Sequence, residues 1–209
     1  MQGSALLAIW SDIAPESETD YLHWLSREHT YERVTTDGFL AARVFRAEGV
    51  AARRYLILYE LEDAHALGGA DYVSKLNNPT PWSQRIMPRL QNFVRGGGPI
   101  VAQAGRGEGA FLLPIILDAV PANGETIVET LAGHDRICSV LLMRTDRVRT
   151  GVRTREKTMR KKDESFAGLL LIEGLDADAV TAAGVASKAM VPDGGRHPDV
   201  FRQVFGLGR

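Results

Sequence analysis

Three ionisable residues lie close together in the stretch "YLHWLSREHTYERV", residues 21–34: Glu28, His29 and Glu32. Imidazole is the side chain best suited to moving a proton near neutral pH, and a neighbouring carboxylate can orient it or hold its charge. The stretch reads as one amphipathic helix. At about 100° per residue, Tyr21, Leu22 and Leu25 define its buried arc. His29 falls between Leu22 and Leu25 and so points inward. Glu32 falls inside the same arc, and Glu28 lies at its edge between Tyr21 and Trp24. His23 and Arg27 point outward. An imidazole or carboxylate buried without a partner is costly, so these groups imply either partners or a wet cavity. The plainer reading is a satisfied core histidine near a helix C-terminus, whose dipole favours it. The two readings part on whether a cavity opens at His29.

Other residues are candidates for binding. Trp24, Tyr72 and Trp82 can wall an apolar or aromatic pocket. Trp82 follows "NNPTP" with Thr80, so a rigid proline turn whose tryptophan packs on the core is the plainer alternative. Arg43 alternates with Phe39, Ala41 and Phe45 on one strand face. It either anchors an anionic ligand or pairs with a carboxylate such as Glu60. No second histidine stands near His29 in a spacing that suits a transition metal, so no metal is expected. A haem would need His134 or His197, each in a loop, and no cofactor is expected. Cys138 sits in an apolar run and reads as a buried, inert thiol. Phosphate-loop, nucleophile-elbow and dinucleotide fingerprints are absent.

"RVRTGVRTREKTMRKK" (147–162) holds eight basic residues and one acid. It lacks an aromatic residue on which a base could stack. It reads as a solvated, mobile hairpin connection rather than a nucleic-acid site.

These candidates need elements to position them. "ALLAIWSDI" (5–13), "FLAARVFRA" (39–47) and "RRYLILYEL" (53–61) read as strands, with "EGVAA" between the last two as a hairpin. Pro15, Glu16 and Glu18 suit the start of the first helix. "EDAHALGGADYVSKL" (62–76) reads as a weaker helix, "NNPTPW" (77–82) as a loop, and 88–95 as a strand. "GGGPIVAQAGRGEG" (96–109) reads as a glycine-rich linker, with room for a short strand at 99–103. The order then restarts: strands at 110–120, 136–144, 166–175 and 199–207, with helices at 123–133 and 176–190. "RYLILYELEDAHAL" parallels "AGLLLIEGLDADAV", a repeat of roughly 105 residues.

The expected fold is therefore α+β, with two tandem ferredoxin-like (βαββαβ) halves, residues 1–98 and 106–209. Each half would form a four-stranded antiparallel sheet. Because the strands are apolar on both faces, the two sheets should pack on each other as an α+β barrel. The net charge of −1 gives no field to attract nucleic acid or membrane. A single cysteine and the lack of a long apolar run or leader-like start suggest a cytoplasmic protein.

The chain resembles the dimeric α+β barrel superfamily, and within it the EthD-like and related bacterial proteins. The resemblance rests on "WLSREH", "DGFLAARVF", "RRYLILYEL" and "NPTPWSQRIMPRL". It covers the first half well, and the second half in element order only. It implies a small-molecule enzyme of isomerase, cyclase or lyase type, with His29 as the proton-transfer group and Glu28 or Glu32 beside it. Trp24, Arg43, Tyr72 and Trp82 would contact an apolar or aromatic ligand. A homodimer is compatible with it. The alternative from another class is a non-catalytic ligand-binding or assembly protein.

Overall fold

The computed structural model describes residues 3–49, 53–160, 164–191 and 199–209. Runs rich in Leu, Ile, Val and Tyr form strands where the sequence pattern places them. These are β1 (Ala5–Ile13), β2 (Phe39–Ala47), β3 (Arg53–Leu61), β4 (Gln91–Gly105), β5 (Phe111–Leu117), β6 (Ile137–Arg144), β7 (Gly168–Gly174) and β8 (Phe201–Gly208).

The strands close into one antiparallel barrel in the order β1-β3-β2-β8-β5-β7-β6-β4. This corrects the expectation of two ferredoxin-like sheets packed on each other. Hydrogen-bonded ladders join β2 to β8, from Ala41↔Gly208 to Ala47↔Phe201, and β4 to β6, from Ile100↔Met143 to Gly105↔Ser139. The strands are apolar on both faces because one face fills the barrel and the other carries helices. An eight-stranded barrel is just wide enough for side chains to fill. Leu6, Ala8, Trp10, Phe45, Leu58, Leu112, Met143, Leu169, Leu171 and Phe201 do so here.

The glycine-rich "linker" is also corrected: residues 91–105 are one 15-residue strand. Its glycines serve close approach. A Cβ on Gly96 would lie 2.4 Å from the Phe166 ring, and one on Gly98 would lie 2.2 Å from the Arg144 carbonyl oxygen. The sequence pattern cannot separate this use of glycine from flexibility, since both follow from a missing side chain. β4 pairs with β1 along its first part and with β6 along its last, so it joins the regions it was expected to separate.

Helices cover the barrel in two groups. Over β1, β3 and β4 lie the first helix (18–34), the short turn Ala64–Gly68, and the helices Ala70–Asn77 and Pro81–Ile86. The expected loop at 77–82 is shorter than read: Pro81 starts a helix, and the Thr80 side chain caps it by accepting from the Ser83 N–H. Over β5, β6 and β7 lie Gly124–Ala132 and Ala177–Ser187. The β6–β7 connection contributes two further short helices, Arg147–Thr150 and Arg155–Thr158. Among the described residues no helix is long and apolar enough to cross a membrane.

Candidate functional site

The first helix is not uniform. Glu18–Trp24 is α-helical, Leu25–His29 is one π-helical turn, and Thr30–Val34 is α-helical again. The Thr30 N–H reaches back five residues to the Leu25 carbonyl, and the Thr30 hydroxyl donates to the same oxygen at 2.7 Å. Single π turns inside helices often mark functional sites. This one inserts an extra residue and turns everything after it backwards on the wheel. Thr30, Arg33 and Val34 are therefore buried, while Tyr31 is exposed and Glu32 only partly covered. The even wheel places Glu32 inward, but the chain places Arg33 there.

His29 is 3% exposed. Its ring stacks on Trp24, with centroids 4.0 Å apart and planes 26° from parallel. The Trp24 indole N–H donates to the Ser83 hydroxyl at 3.2 Å, which fixes the ring that His29 rests on. Both residues line a cavity of about 30 Å³ between the first helix and the outer face of β1, β3 and β4. At about 10–15 Å³ per water, that is room for two or three waters.

Among the described residues, three buried polar atoms on the cavity's lining have no hydrogen-bond partner: His29 Nδ1, Tyr59 Oη and Thr154 Oγ1. Unsatisfied buried polar atoms are rare in native proteins, and three around one cavity point to a place for a ligand or ordered water. Burial holds His29 well below the ordinary histidine value, and the charges of Arg33 and Arg160 add to that. The imidazole is therefore neutral at pH 7, and one ring nitrogen is free to accept a proton.

Around it the lining carries Arg33, Arg95, Lys157 and Arg160 against one carboxylate, Glu156. Arg33 donates to Glu156 at 2.5 Å and to Glu32 at 3.1 Å, and its guanidinium lies 5.7 Å from the Tyr72 ring centroid. Burial alone would lower the Arg33 pKa, but Glu156 and its other neighbours hold it above the usual value. Arg95 donates to the Thr150 carbonyl at 2.9 Å and to the Tyr72 hydroxyl at 3.1 Å. Arg160 lies 3.9 Å over the Phe93 ring. An anion formed beside His29 would meet positive charge at once, which favours proton removal from a ligand.

Glu156, Lys157, Thr154 and Arg160 belong to the basic stretch expected to be a mobile hairpin. The described part of that stretch, through residue 160, folds over the cavity instead, with Thr150, Thr154 and Glu156 buried. Its Lys161 and Lys162 lie outside the described residues, as does His197. Glu156 goes inward because Arg33 waits there.

Of the residues singled out by sequence, His29, Trp24 and Tyr72 meet at the cavity. Glu28 does not line it; it accepts from the Thr80 hydroxyl at 2.6 Å and ties the helix to the 78–80 loop. Glu32 touches the site only through Arg33. Burial raises its carboxyl pKa, with Arg33 opposing. Trp82 is partly buried, packs against the core rather than the cavity, and donates to Asp20 at 2.9 Å. Arg43 points into the barrel and forms a two-pronged pair with Glu173 at 2.7 and 3.2 Å, with Glu108 nearby. Cys138 is partly exposed rather than buried. Among the described residues no three metal-ligating side chains cluster.

Sequence reasoning missed Arg33, Tyr59, Arg95, Thr154 and Glu156. Two left a signal. Tyr59 sits beside Ile57 and Tyr55 on the outward positions of β3, and Arg95 is a charge inside an otherwise apolar and glycine-rich strand.

No protein-family model matches the chain, and no curated protein matches it in sequence. Solved structures do match its fold. A Fusobacterium nucleatum protein designated "Putative monooxygenase" aligns over 100% of this chain and 96% of its own, with 14% identity and a TM-score of 0.58. An anthrone oxidase-like protein aligns over 100% and 94%, with 10% identity and a TM-score of 0.62. A Lactobacillus acidophilus protein, again designated "putative monooxygenase", aligns over 98% and 96%, with 8% identity and a TM-score of 0.54. At 8–14% identity these are likenesses of fold.

Proposed function

We propose that the cavity beneath the first helix is the active site of a small-molecule enzyme of isomerase, cyclase or lyase type. In this reading His29 takes a proton from an apolar or aromatic ligand. One observation carries it: a neutral, buried imidazole on a cavity wall, with Nδ1 unbonded and cations nearby. Trp24 positions the imidazole by stacking. Tyr72 shapes the wall, and the Tyr59 hydroxyl offers a hydrogen bond to a ligand oxygen. Arg33 stabilises the developing anion, with Glu32 and Glu156 setting how much of its charge is free. The likeness of "WLSREH" to EthD-like proteins supports the assignment to His29.

The test is a thermal-shift screen of hydroxylated aromatics, lactones and polyketide-like compounds, followed by product analysis. The names of the fold relatives add oxygen uptake as a readout. His29→Ala should lower turnover by orders of magnitude while the protein stays folded. Turnover unaffected by that substitution would remove His29 from the chemistry.

A second reading is ligand binding without turnover. It is favoured by the lowered pKa of His29, which makes the imidazole a weak base. Saturable binding with no product under any screened condition would select it.

A further inference from the structure

Beside the closed cavity lies an open groove of about 470 Å³, whose walls include Arg95, Arg147, Thr150, Lys157 and Glu164. Arg95 and Lys157 line both spaces, so they form the partition between them. Arg95 is 8% exposed, yet its guanidinium is held only by neutral groups, the Thr150 carbonyl and the Tyr72 hydroxyl. A buried arginine ordinarily has a carboxylate, because an uncompensated charge in a low-dielectric site is costly. The other buried arginines here obey that rule: Arg33 has Glu156 and Arg43 has Glu173. Arg95 alone among these three has no ion pair within the described residues. The Lys157 ammonium also donates to the Thr150 carbonyl, at 2.5 Å, so two cations converge on one backbone oxygen.

We propose that this groove binds a small organic acid, its carboxylate held by the Arg95 guanidinium. The planar guanidinium fork matches a carboxylate in two-pronged geometry. The acid's carbon body lies along the partition toward the cavity. This deepens the function proposed above by naming the ligand's anionic head, and it rests on that reading only for what happens to the ligand after binding.

Calorimetric titration of the full-length protein with benzoate, benzamide and inorganic phosphate tests it. Benzoate should bind, and benzamide should bind roughly tenfold more weakly or worse, the scale of one lost charge-assisted contact. Arg95→Gln should erase the preference for benzoate, and Arg95→Lys should keep part of it, with circular dichroism showing that both fold. Benzoate binding with no turnover of any acid in the product screen would leave the groove standing and remove only the proton-transfer reading. Equal binding of benzoate and benzamide, no benzoate binding at all, phosphate binding as tight as benzoate, or an Arg95→Gln protein with unchanged preference would each overturn the proposal.

Discussion

The two helical groups cover similar lengths of one barrel and treat it in opposite ways. Over β5, β6 and β7 the interface is dry. Ile127, Val128, Leu131, Val180 and Ala183 pack on Leu113, Ile115, Leu117, Val140, Leu142, Leu170 and Ile172. The Ala177–Ser187 helix comes so close that a Cβ on Gly184 would sit 2.2 Å from a Leu113 methyl. Over β1, β3 and β4 the interface is aromatic and polar. All five tyrosines and all three tryptophans of the chain precede residue 83. Rigid rings hold a wall open where small aliphatic residues collapse onto each other. Unpaired polar atoms and buried charges then occupy the space, at a cost to stability that the dry side offsets. The barrel does not dictate a site. One cover makes room for it and the other does not.

The largest expected effect separates the covers by activity. On a substrate that the screen yields, His29→Ala should lower kcat by about 10²–10⁴, the usual span for a lost general base. Leu131→Ala, on the dry side, should leave kcat within about twofold, since it touches no reacting group. Similar losses for both would mean that the covers are not functionally distinct.

Next in size is stability. Arg33→Met strands the buried Glu156 and should cost about 3–5 kcal/mol in urea unfolding. The double change Arg33→Met with Glu156→Leu should recover much of this, because a buried pair replaced together is often near neutral. A single-site cost below about 1 kcal/mol would show that Glu156 swings out to water.

Leu131→Ala should cost about 2–4 kcal/mol by leaving a hole in the dry interface, measured the same way. No partner substitution of charge should rescue it.

The smallest effect is a slope. His29 has a folded pKa below its ordinary 6.5, so below that pH the unfolded chain binds a proton that the folded chain does not. Its contribution to stability is complete above about pH 6.5 and falls by up to about 1.4 kcal/mol per pH unit below it. Urea midpoints from pH 7 to 5 should show this slope, and His29→Gln should flatten it. The dry cover contributes none, as its core residues do not titrate.

How much of this was legible in the sequence differs by element. Most strands announced themselves through a run of apolar residues, and the first helix through Pro15 and its acidic turn, but the glycines of β4 read as a linker. His29 was legible because the wheel holds as far as the π turn. Glu32 was misplaced and Arg33 overlooked, because an inserted residue in a helix leaves no mark in the spacing of side chains. The ladder between β2 and β8 was invisible, since an apolar face looks alike whether it meets another sheet or the inside of a barrel. The 147–160 connection was misread for a related reason. Its charges suggest solvent, and the buried partner that overrides them, Arg33, stands 123 residues away from Glu156.

That separation has a consequence in time. At ordinary rates of protein synthesis, on the order of ten seconds pass between the appearance of Arg33 and that of Glu156. Throughout that interval the first helix can meet β1 and β3, but the cavity has no roof and Arg33 has water where its carboxylate will be. His29 thus begins as a hydrated side chain and is buried only when the last wall arrives. The cavity is a late product of the chain's own assembly.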